Sequence, residues 1–242
     1  MTTRSRPSSL RNRPVLAYVL LSGVAVVIVA AISLSARSSF ARFLGGVPPV
    51  AAFAGAAVLG AASFAAVLSP AGFVVFPEQP ARGAKLALEA AVLFGAIIVS
   101  ADFLIVYPRD LNVGLPLGLV FYPAMAFLAE TLFHVVPLSV LALPLRFIES
   151  ARDRDRWTMG SLVATALLEP GYQALTMAGS SPSWAAVFTF FHVLGIDGVG
   201  LWLFRRHGFA AMLSLRVLYY FIGHVGWGAL RLHLLFQASD RR

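Results

Sequence analysis

The stretch at residues 123–141, "PAMAFLAETLFHVVPLSVL", sets one carboxylate, Glu130, and one imidazole, His134, inside an otherwise apolar run. A bilayer-spanning helix needs roughly 20 mostly apolar residues, and this run supplies them. Charged groups cost about 2.5–3.5 kcal/mol each near the centre of such a helix, so they normally face the bundle interior with a partner. The stretch therefore fixes the fold class and raises a question of function: why a membrane helix carries an acid and a base one turn apart.

The whole chain reads the same way. Of its 242 residues 59% are hydrophobic and 12% charged, with a mean hydropathy of +0.80, values outside the range of soluble globular domains. The expected fold is all-α, a polytopic transmembrane helix bundle of about seven to eight spans. Apolar stretches fall at 15–36, 48–68, 86–107, 115–138, 160–178, 184–204 and 209–230. They make a single domain over 15–236, after a basic N-terminus at 1–14. The fourth stretch continues to Leu145 and carries Pro116, Pro123, Pro137 and Pro144, which predicts a kinked helix followed by an interfacial segment. The basic start "RSRPSSLRNR" imitates a signal peptide, but the apolar run behind it is too long for an h-region and lacks an A-x-A context. It reads as a retained anchor.

A net charge of +8 suggests nucleic acid at first sight, yet the basic residues lie between apolar runs and not on one face. They are topology signals, and no nucleic-acid partner is expected. With the N-terminus in the cytoplasm, twelve of the nineteen Lys and Arg residues fall inside and six outside, which leaves Arg216 within a span. The abundance of Ala, Arg and Gly accords with a high-GC bacterial chain, so the expected location is the cytoplasmic membrane, with lipid as the surrounding partner. The absence of cysteine excludes disulfides, thiolate metal sites and cysteine nucleophiles.

The first two spans are rich in Ala, Val, Gly and Leu and offer no acid or base inside. Runs such as "AAFAGAAVLGAASFAA" let helices approach closely and read as scaffold. "FPEQPARGAK" reads as a turn, and "RFIESARDRDRW" as an exposed helix or loop at the headgroups. From Leu86 onward the spans contain Glu89, Asp102, Glu130, His134, Glu169, His192, Asp197, Arg216 and His224. Glu89 and Asp102 lie near helix ends and can reach the interface. Asp197, in "GIDGVG", fits a glycine-flanked kink or re-entrant turn. Glu169 precedes Pro170 and can cap the backbone donors that the proline frees.

Four groups then remain as candidate catalytic residues, with Glu169 as a secondary candidate. Glu130 and His134 are four apart and share a helix face, the acid/base pairing a hydrolase uses and equally that of a structural intramembrane hydrogen bond. His192, in "VFTFFHVLG", stands four residues after Phe188, as a core histidine among aromatics or as a functional one. His224, in "YYFIGHVGWG", has glycine neighbours that leave room for a ligand, a water or a close helix. A divalent metal on Glu130, His192 and His224 is compatible with these groups, although no spacing demands one.

These stretches resemble the CPBP family, the CAAX protease and bacteriocin-processing intramembrane endopeptidases, whose first motif is E-E-x-x-F-R in an apolar helix. Here Ala129 stands at the first Glu, Glu130 and Phe133 match, and His134 replaces the Arg. "GLWLFRRHGFAAML" resembles the run that leads into the family's last catalytic helix. The resemblance covers about 123–228, within a CPBP-like region of about 115–230. It implies an endopeptidase acting on a membrane-associated peptide or protein substrate, active or with its activity lost. Glu130 would be the general base, His192 its partner, His224 the oxyanion donor and His134 the residue orienting Glu130. Gly228 occupies the family's Asn/Asp position, and an alignment on "GLWLF" places the F-x-x-x-H motif near Glu169 to Gln173, without histidine. The same scaffold without chemistry would be a chaperone, an immunity factor or a small permease.

Overall fold

Where no water is present, each backbone N–H and C=O must be paired within its own segment, so apolar runs of this length become helices. The computed structural model describes residues 13–77, 79–105, 112–177, 182–231 and 234, and every regular element among them is helical. They are α1 (Arg13–Ala36), α2 (Pro49–Leu68), α3 (Pro80–Ile105), α4 (Gly118–Leu141), α5 (Ala151–Ala166), α6 (Leu168–Met177), α7 (Ser183–His207) and α8 (Phe209–Arg231). Among the described residues six of these, all but α5 and α6, are long and apolar enough to cross a membrane. The protein is an all-α, multi-pass membrane bundle.

The predicted fifth span is the one that differs. Its residues form two helices that meet at Leu167. Pro170 has no N–H, and its ring would clash with the carbonyl four residues earlier, that of Ala166, so α5 ends there. The charged run before it becomes the exposed first turns of α5, where Ser150 Oγ accepts from the Asp153 N–H at 3.4 Å. α7, by contrast, runs unbroken through "GIDGVG", and the kink expected at Asp197 is absent.

α4 runs as one element from Gly118 to Leu141 with Pro123 inside it, and its later proline acts through the width of a turn. The turn Glu130–Val135 is wound as π-helix, with the Val136 N–H reaching back five residues to Thr131. Pro137 cannot sit over an α-helical carbonyl of Phe133, and a single wide turn relieves that clash. Similar wide turns occur at Phe64–Leu68 in α2 and Phe221–Gly226 in α8. Pro144 lies in a 3₁₀ turn beyond α4, where Arg146 donates to the Ala66 carbonyl.

The main core sits where α1, α2, α4, α7 and α8 meet. Tyr18, Phe64, Phe127, Phe204 and Phe209 are all buried there, and the Tyr18 ring lies 5.0 Å from Phe64, 5.6 Å from Phe127 and 5.4 Å from Phe209. Such aromatic contacts contribute beyond the area they bury. Thr131 Oγ1 donates to the Phe127 carbonyl at 2.8 Å, so the 2.7 Å bond to Tyr18 is donated by the tyrosine. Gly60 lies against the Tyr18 ring, where any Cβ would overlap it, which is the close approach that the small-residue run allows. A second small core joins Ala87 and Ala91 of α3 to Leu203 of α7 and Leu215 of α8.

α8 enters the bundle through a fixed corner. The Phe209 and Ala210 N–H groups, orphaned at a helix start, donate to the Val74 and Val75 carbonyls at 2.9 Å each. Gly208 makes the turn at φ +83°, and a Cβ there would meet the Val75 oxygen at 2.8 Å. This corner sets the height and rotation of α8, and so of Arg216.

Candidate functional site: a buried charge cluster on Arg216

Arg216 projects from the middle of α8 and is 3% exposed. Its Nε donates to Glu130 Oε1 at 2.7 Å, and its two terminal nitrogens donate to Glu169 Oε1 and Oε2 at 2.7 Å each. A fourth bond, at 2.9 Å, reaches Asp197 Oδ1. Four helices thus contribute to one cluster: α4 with Glu130, α6 with Glu169, α7 with Asp197 and α8 with the arginine. The planar, forked donor set of arginine suits it to several carboxylates at once. Gln173, one turn after Glu169, donates to Glu169 Oε1 at 2.9 Å. Tyr220 sits beside the guanidinium.

His134 lies between two of these carboxylates. Its Nδ1 is 2.8 Å from Glu130 Oε2 and its Nε2 is 3.5 Å from Asp197 Oδ2. Both contacts have ion-pair distances, yet neither ring nitrogen is aligned with its oxygen as an N–H···O bond. The two side chains, four residues apart, lie on one face of the wide turn Glu130–Val135 and are both buried.

Of the four residues read from sequence as catalytic, the structure brings Glu130 and His134 together. His192 faces elsewhere: Nε2 is 3.2 Å from Tyr219 Oη, the ring stacks on Phe188 at 5.5 Å and 14°, and Phe94 meets it edge-on. The F-x-x-x-H spacing is here an aromatic stack along one helix face. The His224 ring stacks on Tyr122 at 5.0 Å and 15° and meets Tyr220 edge-on. Its carbonyl accepts from Asn112 at 3.3 Å, and the Asn112 amide fills the space beside Gly228. The imagined ligand set Glu130, His192 and His224 is therefore divided among separate helix interfaces.

Three other expectations change. Glu169 was expected to cap freed backbone donors and is instead the bidentate acceptor of Arg216. Asp197 sits in an unbroken helix, held by charge. Asp102 is 3% exposed and accepts from Arg231 at 2.5 and 3.0 Å and from Trp227 at 2.6 Å, so it ties the end of α3 to the end of α8. Glu89, as expected, stays outside in an exposed pair with Lys85. The signal that could have found the cluster is charge balance: Arg216 is the lone cation within the predicted spans, and interior acids need a partner.

A comparison with protein-family models, curated proteins and solved structures gives no match.

Proposed function

We propose that this chain is a non-catalytic multi-pass protein of the cytoplasmic membrane, with its N-terminus in the cytoplasm, on a scaffold resembling the CPBP endopeptidases. It would work as a membrane-embedded binding or transport component, of the chaperone, immunity-factor or small-permease kind. The observation that carries this reading is the occupation of Glu130, Glu169 and Asp197 by one guanidinium. A general base needs a carboxylate oxygen within reach of a water. Here Glu130 is buried, with one oxygen on Arg216 and the other 2.8 Å from the buried His134 ring, while His192 and His224 engage aromatic partners of their own. Burial in a closed ion cluster serves helix association or ligand capture better than turnover.

A second reading, membrane-associated peptide hydrolysis, rests on Glu130 and His134 lying 2.8 Å apart, the acid/base pair in contact. Proteoliposomes holding the wild type or Glu130→Gln, with a membrane-tethered reporter peptide, separate the two. The expected result is no cleavage above empty vesicles from either protein. Cleavage by the wild type that disappears in Glu130→Gln would overturn the non-catalytic reading.

A further inference from the structure

The bonds around Arg216 leave a remainder. Three carboxylates and one guanidinium sum to a formal charge of −2 when the imidazole is neutral, and nothing else charged is bonded to the cluster among the described residues. Isolated charge in a low-dielectric interior is strongly unfavourable. The unmet polarity is also concentrated at one place. Of the six buried side-chain polar atoms that lack an aligned hydrogen bond among the described residues, four are Glu130 Oε2, both ring nitrogens of His134 and Asp197 Oδ2.

Their geometry suits a metal ion. One ligand atom from each of His134, Glu169 and Asp197 lies within 4.8 Å of the other two. The 3.5 Å between His134 Nε2 and Asp197 Oδ2 is too long for a good hydrogen bond. It is close to the edge of a tetrahedral site, roughly 3.4 Å when both metal–ligand bonds are about 2.1 Å. On the far side of the ring, Glu130 Oε2 is 2.8 Å from Nδ1, where metal-bound histidines usually find the carboxylate that orients them. Arg216 occupies the other oxygens, Asp197 Oδ1 and Glu130 Oε1, and so fixes both carboxylates without covering the ones that face the histidine. Glu169 Oε1 accepts from both Arg216 and Gln173, whereas Oε2 spends one lone pair on the arginine and keeps the other for an ion.

We propose that His134 Nε2, Asp197 Oδ2 and the Glu169 carboxylate bind one divalent transition-metal ion, with Glu130 as the positioning residue behind His134. The mixed nitrogen and oxygen donors favour a borderline ion such as Zn²⁺ or Co²⁺, with the harder Mn²⁺ next, over Ca²⁺, which prefers oxygen alone. An ion of charge +2 brings the cluster to neutrality. The site stands apart from the question of peptidase activity, since it rests on the charge remainder and the open atoms and not on turnover.

The test uses full-length protein in detergent, stripped with chelator, offered Zn²⁺, Co²⁺ or Mn²⁺ singly, and passed through a desalting column before its metal content is measured. The wild type is expected to retain about one ion per chain. Asp197→Asn and His134→Gln are expected to lose it, and Glu130→Gln to bind about 10- to 100-fold more weakly. His192→Gln and His207→Gln should bind as the wild type does. Because cluster variants can fail to fold, X-ray absorption of the Zn²⁺-loaded wild type gives an independent reading, with imidazole and carboxylate scattering expected. A wild type that retains no metal overturns the proposal and assigns the charge remainder to protons. An absorption spectrum without imidazole, or binding untouched by both Asp197→Asn and His134→Gln in folded protein, overturns it as well.

Discussion

Arg216 satisfies three carboxylates from three other helices, and that difference in number governs what its loss would do. Removing one partner of a buried ion network leaves the other charges uncompensated, a cost of about 3–5 kcal/mol. Interhelical hydrogen bonds in membrane bundles average only about 0.6 kcal/mol, which is the scale for the Tyr18–Thr131 bond. Arg216→Gln is thus expected to lower the unfolding free energy in bicelles by about 3–5 kcal/mol and Tyr18→Phe by well under 1 kcal/mol. Arg216→Lys should recover only part of the loss, since an ammonium lacks the fork that spans Glu169. Equal effects at Arg216 and Tyr18 in a steric-trapping measurement would show that the cluster does not hold the helices together. The sequence placed Glu130 and His134 correctly on one face because four-residue spacing is a local property. Charge balance marks Arg216 as a partner for interior acids, but which acids it meets was not legible, because that depends on helices that are far apart in the chain.

At the scale of elements, departures from straight helix have local chemical causes. Pro170 ends α5, Pro137 widens the turn that carries Glu130 and His134, and Gly208 turns α7 into α8. Gly208 is the sharpest case, since a side chain there meets both the left-handed backbone penalty and the Val75 oxygen. Gly208→Ala is expected to cost at least about 1–2 kcal/mol, seen as a lower Tm in detergent, whereas Gly198→Ala, which has open space beside it, should leave Tm nearly unchanged. A Gly208→Ala protein as stable as the wild type would mean that the Val74–Val75 corner does not hold α8 in place. The prolines were readable from sequence as points of disturbance, though not as a break at Leu167 or a widened turn at Glu130–Val135, and the glycines around Asp197 misled. Glycine permits a break without requiring one, and α7, packed against α3, α6 and α8, runs on through these residues.

At the scale of the molecule, the pair α5–α6 sets the number of crossings. Glu169, in the first turn of α6, is level with Glu130, Asp197 and Arg216, each near the middle of its helix. α5 extends about 24 Å to one side of it and α6 about 15 Å to the other, together more than the ~30 Å hydrocarbon core. Accessibility tags at Arg152 and just after Met177 are therefore expected to report opposite sides of the membrane. Tags on the same side would make α5–α6 a re-entrant hairpin and reduce the crossings to six.

The chain by itself determined the membrane class, the helical architecture and the pairing of Glu130 with His134. Each follows from composition or from spacing along one helix, and both are properties of a segment alone in lipid. Only the tertiary structure decided that Glu169, Asp197 and Arg216 join that pair while His192 and His224 do not. That choice depends on how each helix is rotated about its own axis, and rotation is set by ring packing around Tyr18, by the corner at Gly208 and by the attraction of three buried carboxylates to one guanidinium.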